Sequence, residues 1–332
     1  MIHAWNRAQW TRLHARPAGL PSAILLAGPV GVGKRAFAQA VAIALLCSNR
    51  SQTGEACGEC RSCRLFTAAS HPDYRLLEPA TAETGDAATE GTATKSRIIA
   101  VDRIRDLIDF VSMSPHSSSS KIIVIQPADR LHPSAANALL KMLEEPSAST
   151  RFVLVTDRAQ QLLPTIRSRC YRIDFSLPDP QVARTWLNER GIEQPDIALA
   201  QAGFAPLAAE QLSDQTYWQK RRSVNDMLGT PSLKASELIR ALAAEGLPTF
   251  WAFLYRWCYD LAAAGAAGQI RYNPDYTKSL SRIAVKLNQQ HLQQFMKELI
   301  VVAQSLEHPL NARLVSERLA IGYTRAVATQ EP

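Results

Sequence analysis

Over its first half the chain alternates short, continuous apolar runs with longer stretches that are apolar on one helical face only. Residues 22–27 (SAILLA) form one such run and stop at a glycine-rich loop, after which residues 35–46 are alanine-rich and helical in period. Further runs at 121–125 (KIIVI) and 151–156 (RFVLVT) have the length and β-branched content of buried strands, and 74–77 and 171–175 are read as two more strands. Between them, Asp102 is expected to N-cap a helix whose Ile104, Leu107, Ile108 and Val111 recur at i, i+3, i+4, i+7. A second helix, 133–145, is closed by Pro146, because the residue before a proline is pushed out of the α region. Strands alternating with helices predict an α/β fold with a parallel sheet covered on both faces. Residues 80–95, rich in Thr, Ala, Gly and acidic groups and without hydrophobic period, read as a surface loop.

After Leu177 the pattern changes. Pro178 and Pro180 punctuate the chain, and nearly everything beyond is helical in period and rich in Ala, Leu and Gln. The expected division is an α/β domain over 1–175, a small helical domain over 176–212 and a larger all-α domain over 213–332.

A chain of 332 residues is long enough for two or three domains, and its 46% apolar and 20% charged content is ordinary for a globular protein. No apolar run reaches the roughly 18 residues of a membrane span. The first 19 residues interleave Trp5, Arg7, Trp10, Arg12, His14 and Arg16 and so lack the apolar core of a secretory signal, which makes a cytoplasmic location the expectation. The net charge of +7 is compatible with work beside nucleic acid, but Lys and Arg are scattered and do not by themselves point to DNA contact.

Two clusters carry candidate chemistry. Gly28-Pro-Val-Gly-Val-Gly33-Lys34 follows a strand and opens a helix, the setting of a phosphate-binding loop. A working loop of this kind needs a hydroxyl for Mg²⁺ at the next position, and Arg35 stands there. At the end of the KIIVI strand, where an acidic metal ligand and a water-orienting glutamate belong, the chain has Gln126 and Pro127. Asp129 is acidic but three residues further on, where a turn aims it elsewhere. With neither ligand nor base, hydrolysis is not expected. Two readings stand for the loop: a relic that only joins strand to helix, or a site that binds nucleotide without turnover. Lys34 is correspondingly a solvated helix-start lysine or a phosphate contact.

The other cluster is Cys47 with Cys57-x₂-Cys60-x₂-Cys63, four of the chain's six cysteines in one short stretch. Four thiolates suit tetrahedral zinc and leave no open position, so such a site is structural. The polar segment 48–56, with Gly54, lets Cys47 fold back on the others. An iron–sulfur cluster is the other reading of the spacing.

Several further motifs carry a resemblance. Residues 134–146 (SAANALLKMLEEP) look like a helix of bacterial clamp-loader subunits, Ser168-Arg169-Cys170 matches the SRC motif of that family, and the four-cysteine insertion directly after the loop helix is similar to theirs. His71-Pro72-Asp73-Tyr74 fits the delta-prime type of subunit. The likeness covers most of the first 175 residues and is faint beyond, near 311–321. It implies an AAA+ (RecA-like) domain with an inserted zinc module, a helical lid and a C-terminal collar. The implied setting is a five-subunit loader within the bacterial DNA polymerase III holoenzyme, with gamma/tau-type ATPase and delta-type subunits, the sliding clamp and primer–template DNA as partners. In such rings the SRC arginine, here Arg169, reaches a neighbour's γ-phosphate. Thr156 matches the nucleotide-sensor position, and Pro206 in Gly203-Phe-Ala-Pro206 replaces an arginine of the ATPase subunits.

The resemblance thus implies a subunit that completes a neighbour's site and hydrolyses nothing itself, its enzyme class belonging to the whole polymerase. The alternative within the family, an active motor subunit, is opposed by Arg35, Gln126 and Pro127. A two-metal nuclease or polymerase is opposed by the lack of clustered carboxylates, since Asp102, Asp106 and Asp109 share one solvated helix face. A redox protein built on the cysteines would be coloured, whereas a zinc protein is not.

Overall fold

The computed structural model describes residues 2–16, 19–79, 98–230, 233–305 and 312–328. The segment 80–95 lies outside the described residues. The chain divides into two compact units, Met1–Val182 and Ala183–Pro332.

The first unit is built on five parallel strands: β1 Ala23–Ala27, β2 Tyr74–Leu77, β3 Lys121–Ile125, β4 Thr150–Thr156 and β5 Tyr171–Asp174, in the order β2-β3-β4-β1-β5. Every residue of β1 and β3 is buried, which explains why both read as unbroken apolar runs and not as alternations. Its helices are α1 Arg7–His14, α2 Lys34–Leu46, α3 Arg61–Thr67, α4 Val101–Ser112, α5 Pro133–Glu144 and α6 Pro164–Arg169, with α7 Pro180–Asn188 crossing into the second unit.

Two details of α4 differ from the sequence expectation. Ala100 occupies the N-cap and Asp102 lies inside the first turn, where it pairs with Arg105 on the exposed face. Ile108 is 50% exposed, and Phe110 joins Ile104 and Leu107 in the buried set instead. The helix is rotated so that its aromatic residue reaches the core, consistent with the larger area an aromatic ring removes from water.

His71-Pro72-Asp73-Tyr74 has a clear structural use. Asp73 is 1% exposed and accepts bonds from the backbone N–H groups of His116, Ser117 and Ser118 at 2.6, 2.7 and 2.9 Å and from the hydroxyls of Ser117 and Ser118. This fixes the turn that feeds β3, whose first residue, Lys121, is itself buried and donates to the carbonyls of Phe110 and Met113. Burial opposes the Asp73 charge, but the N–H groups of His116 to Ser118 and the Ser118 hydroxyl outweigh it and hold the carboxyl at about 2.

The second unit is helical: α8 Pro195–Gln201, α9 Pro206–Glu210, α10 Gln215–Leu228, α11 Ala235–Glu245, α12 Leu247–Ala267, α13 Thr277–Lys286, α14 Gln289–Ser305 and α15 Ala312–Val327. It has a small apolar cluster around Ala183, Leu187, Leu199 and Ala209, and a large one around Phe250, Leu254, Trp257, Leu292, Phe295 and Tyr323. A buried polar network ties them together. Asp260 accepts the N–H groups of Arg271, Tyr272 and Asn273, and Asn273 Oδ1 accepts from Gln201, Arg221 and Asn225. Arg221 forks onto Asp275 at 2.6 and 2.8 Å. Among the described residues no helix is long and apolar enough to cross a membrane.

Because the Asp73 pKa is depressed in the fold, its contribution to stability is complete above the ordinary carboxylate value of about 3.9 and is lost as pH falls toward about 2. Asp73→Asn is expected to cost on the order of 2 kcal/mol at neutral pH, with the gap to the unsubstituted chain closing between about pH 4 and pH 2. Urea midpoints measured across that window check it; a gap independent of pH would contradict the role given to the charge.

Candidate functional site

All five parallel strands direct their carboxyl ends at one rim of the sheet, the edge on which open α/β folds hold ligands. After β1 the chain turns through Gly28 to Gly33 into α2. A Cβ on Gly28 would come within 2.2 Å of the Phe175 carbonyl oxygen, and Gly33 sits at φ +95°, so the loop needs glycine at both places. The N-terminal segment covers the loop: Trp5 Nε1 and Asn6 Nδ2 both donate to the Val32 carbonyl, at 3.0 and 2.9 Å.

Lys34 is not a solvated lysine. It is 4% exposed, and its ammonium bonds the carbonyls of Gly28 and Pro29 and pairs with Asp157 Oδ1 at 2.7 Å. All three partners lie within the rim itself. Arg35, at the position of the magnesium hydroxyl, pairs with Glu78 at the end of β2, and Gln126 Nε2, at the position of the acidic ligand, donates to the same Glu78 oxygen at 3.2 Å. The two substituted positions are thereby joined through one carboxylate. Asp129, in a 3-10 turn at 128–130, accepts from Thr156 Oγ1 at 2.6 Å and from the Asp157 N–H at 3.2 Å, so it faces β4 and not the loop. Thr156 Oγ1 in turn accepts the Arg158 N–H.

Arg169 is the last residue of α6 and lies apart from these contacts. Its side chain is 35% exposed, with Nη2 on Glu144 Oε1 at 2.7 Å and Nη1 on the Thr165 carbonyl. Ser168 Oγ donates to that carbonyl as well. Cys170 is buried, and burial pushes its thiol up to about 12, which makes it a core residue without nucleophilic character. Pro206 begins α9 and is buried.

The four clustered cysteines do meet. Cys47 caps the end of α2, Cys60 N-caps α3, and Cys63 lies within α3. Their sulfurs are within 4.8 Å of one another, with separations of 3.5 Å for Cys47–Cys57, 3.9 Å for Cys47–Cys60 and 4.0 Å for Cys57–Cys63. A tetrahedron of thiolates about 2.3 Å from a central ion has edges of about 3.8 Å, so the spacing suits one metal ion and is far longer than a disulfide. Backbone N–H groups of Cys57, Cys60 and Cys63 point at sulfurs at 3.4 to 3.5 Å, further support for thiolate charge. Helix α1 braces the module from outside, through Trp10 Nε1 on the Thr53 carbonyl and Arg7 on Glu55.

The sequence profile of the family described as "DNA polymerase III, delta subunit" matches residues 9–179, just over half of the chain. The chain is 36% identical to the DNA polymerase III subunit delta' of Pseudomonas aeruginosa over 263 residues, 77% of this chain and 76% of that protein. It belongs to the delta-prime family of DNA polymerase III subunits. The subunit delta' of Escherichia coli is 32% identical over 291 residues, 86% of this chain and 82% of its own. Among solved structures, a DNA polymerase III gamma subunit-related protein from Thermotoga maritima aligns over 97% of this chain and 100% of its own, at 18% identity and a TM-score of 0.42.

The residues that sequence reasoning missed at this rim are the partners Glu78 and Asp157 and the cover by Trp5 and Asn6, while Glu144 fell within the 134–146 motif without a role being read for it. The rim partners are distant in sequence from the groups they hold, and no local motif announces them. Lys34→Met should destabilise the isolated chain by about 1–3 kcal/mol, because the Gly28 and Pro29 carbonyls lose their donor and Asp157 its counter-charge. Urea unfolding measures this; an unchanged midpoint would contradict a structural Lys34.

Proposed function

We propose that this chain is a non-hydrolysing clamp-loader subunit that lends Arg169 to the ATP site of a neighbouring gamma/tau-type subunit while the sliding clamp is placed on primed DNA. The observation that carries the reading is the Arg35–Glu78–Gln126 bridge. Where an ATPase holds Mg²⁺ between a hydroxyl and a carboxylate, this chain has a guanidinium and an amide sharing one glutamate. A cation added there would meet the Arg35 charge. Gly28, Gly33 and Lys34 are then a vestigial phosphate loop, its lysine engaged by Asp157. Arg169, by contrast, stands at a helix end with part of its guanidinium open to solvent, which is what action on a neighbour requires.

On the same reading Cys47, Cys57, Cys60 and Cys63 hold a structural Zn²⁺ that ties the end of α2 to α3. Residues 176–212 serve as a lid and 213–332 as the collar that binds the other subunits, including a delta-type one, with the complex acting in the cytoplasm. Contact with DNA comes through the assembled loader.

In a loader reconstituted with Arg169→Ala, assembly should be unchanged, while single-turnover hydrolysis at the neighbouring site falls by about 10²-fold or more. A rate equal to that of the unsubstituted complex would remove the arginine-finger role. Metal analysis should find about one zinc per chain, lost in Cys60→Ser together with protection from proteolysis over residues 47–63. A purified chain without metal would end the zinc reading.

A further inference from the structure

The contact between Arg169 and Glu144 calls for an explanation that stability does not supply. Glu144 is 48% exposed and Arg169 35% exposed, and an ion pair this wet adds little to a fold. Its geometry is nevertheless set with care. Leu143, the residue before Glu144, and Cys170, the residue after Arg169, are buried in the same apolar cluster, together with Leu139 and Ile166 from the two helices concerned. The backbones that carry the carboxylate and the guanidinium are therefore anchored at adjacent residues. The guanidinium is held at both terminal nitrogens, Nη2 by Glu144 at 2.7 Å and Nη1 by the Thr165 carbonyl at 3.1 Å, while Nε has no such partner among the described residues. Of the five N–H donors of an arginine, two are occupied and three stay free for a phosphate.

We propose that Glu144 is the positioning residue for Arg169, holding the guanidinium in one place at the end of α6 so that its free donors are already aligned when a neighbouring subunit docks. An arginine left unheld at an exposed helix end samples many rotamers, and each complex would have to select the productive one. A carboxylate and a carbonyl on the two terminal nitrogens remove that search and leave the remaining N–H groups for the phosphate. The inference rests on the arginine-finger reading above. It does not follow from it, since a finger can act without a partner in its own chain.

The test is a double-substitution cycle in the reconstituted loader, read as single-turnover hydrolysis at the neighbouring site. Glu144→Ala should lower the rate constant about tenfold with the ATP concentration dependence unchanged, a smaller loss than Arg169→Ala gives. Glu144→Gln, which keeps an oxygen acceptor, should recover part of the rate. Glu144→Ala added to Arg169→Ala should cost nothing further, because the carboxylate acts only through the arginine. In the free chain, Glu144→Ala should leave the unfolding midpoint in place while the Arg169 guanidinium N–H signals lose their protection from exchange. The inference is overturned if Glu144→Ala leaves the rate unchanged or raises it, or if its effect multiplies that of Arg169→Ala. An Arg169→Ala complex with normal hydrolysis would instead strike at the finger reading itself, so the two failures are distinguishable.

Discussion

An ammonium group taken out of water must be met by charge or by oxygen, and in this chain the group concerned is Lys34, 4% exposed at the start of α2. Its partners are the carbonyls of Gly28 and Pro29 and the carboxylate of Asp157. That requirement ties the loop after β1 to the end of β4. Thr156 and Asp129 extend the tie to the turn after β3, and Arg35, Glu78 and Gln126 close it across α2, β2 and β3. The rim of a parallel sheet, where related architectures place a ligand, is here stitched together by the chain's own side chains. Lys34, Gln126 and Thr156 are buried, and since a buried polar group left unmade costs more than a made one contributes, their partners constrain one another, while the exposed Arg35–Glu78 pair places charge at the rim.

The rest of the first unit is arranged around that closed rim. The apolar strands beneath it supply a rigid platform, the Asp73 clamp fixes the entry to β3, and the four-cysteine module extends from the far end of α2. Arg169 lies on α6, packed with α5 through Ile166 and Leu143. Its contacts are with Glu144 and Thr165 and not with the residues of the rim, which is what the proposed action on a neighbour would need.

Much of this was legible in the sequence for a definite reason. Strands buried on both faces are nearly pure Ile, Val, Leu and Ala, so β1 and β3 stood out with their ends nearly correct. The cysteine tetrad was readable because its ligands lie close in sequence. Arg35 and Gln126 were recognisable as losses from a motif, but the glutamate that joins them was not, since Glu78 lies 43 residues from Arg35 and 48 from Gln126. The rotation of α4 that exposes Ile108 and buries Phe110 likewise depends on tertiary packing that no periodicity encodes. In the second unit, helical period was visible, whereas the network that centres on Asn273 and Asp260 is built from residues with no local signature.

The central claim is that the rim is closed to Mg²⁺-nucleotide chemistry, and its most direct test is a calorimetric titration of the isolated chain with Mg²⁺-ATP. A gamma-type ATPase subunit is the positive control, and phosphate release is followed in the same samples. No hydrolysis, and no binding heat that depends on Mg²⁺, is the result the account predicts. Magnesium-dependent binding with steady phosphate release would contradict it and would mean that Asp129 or another carboxylate completes the site.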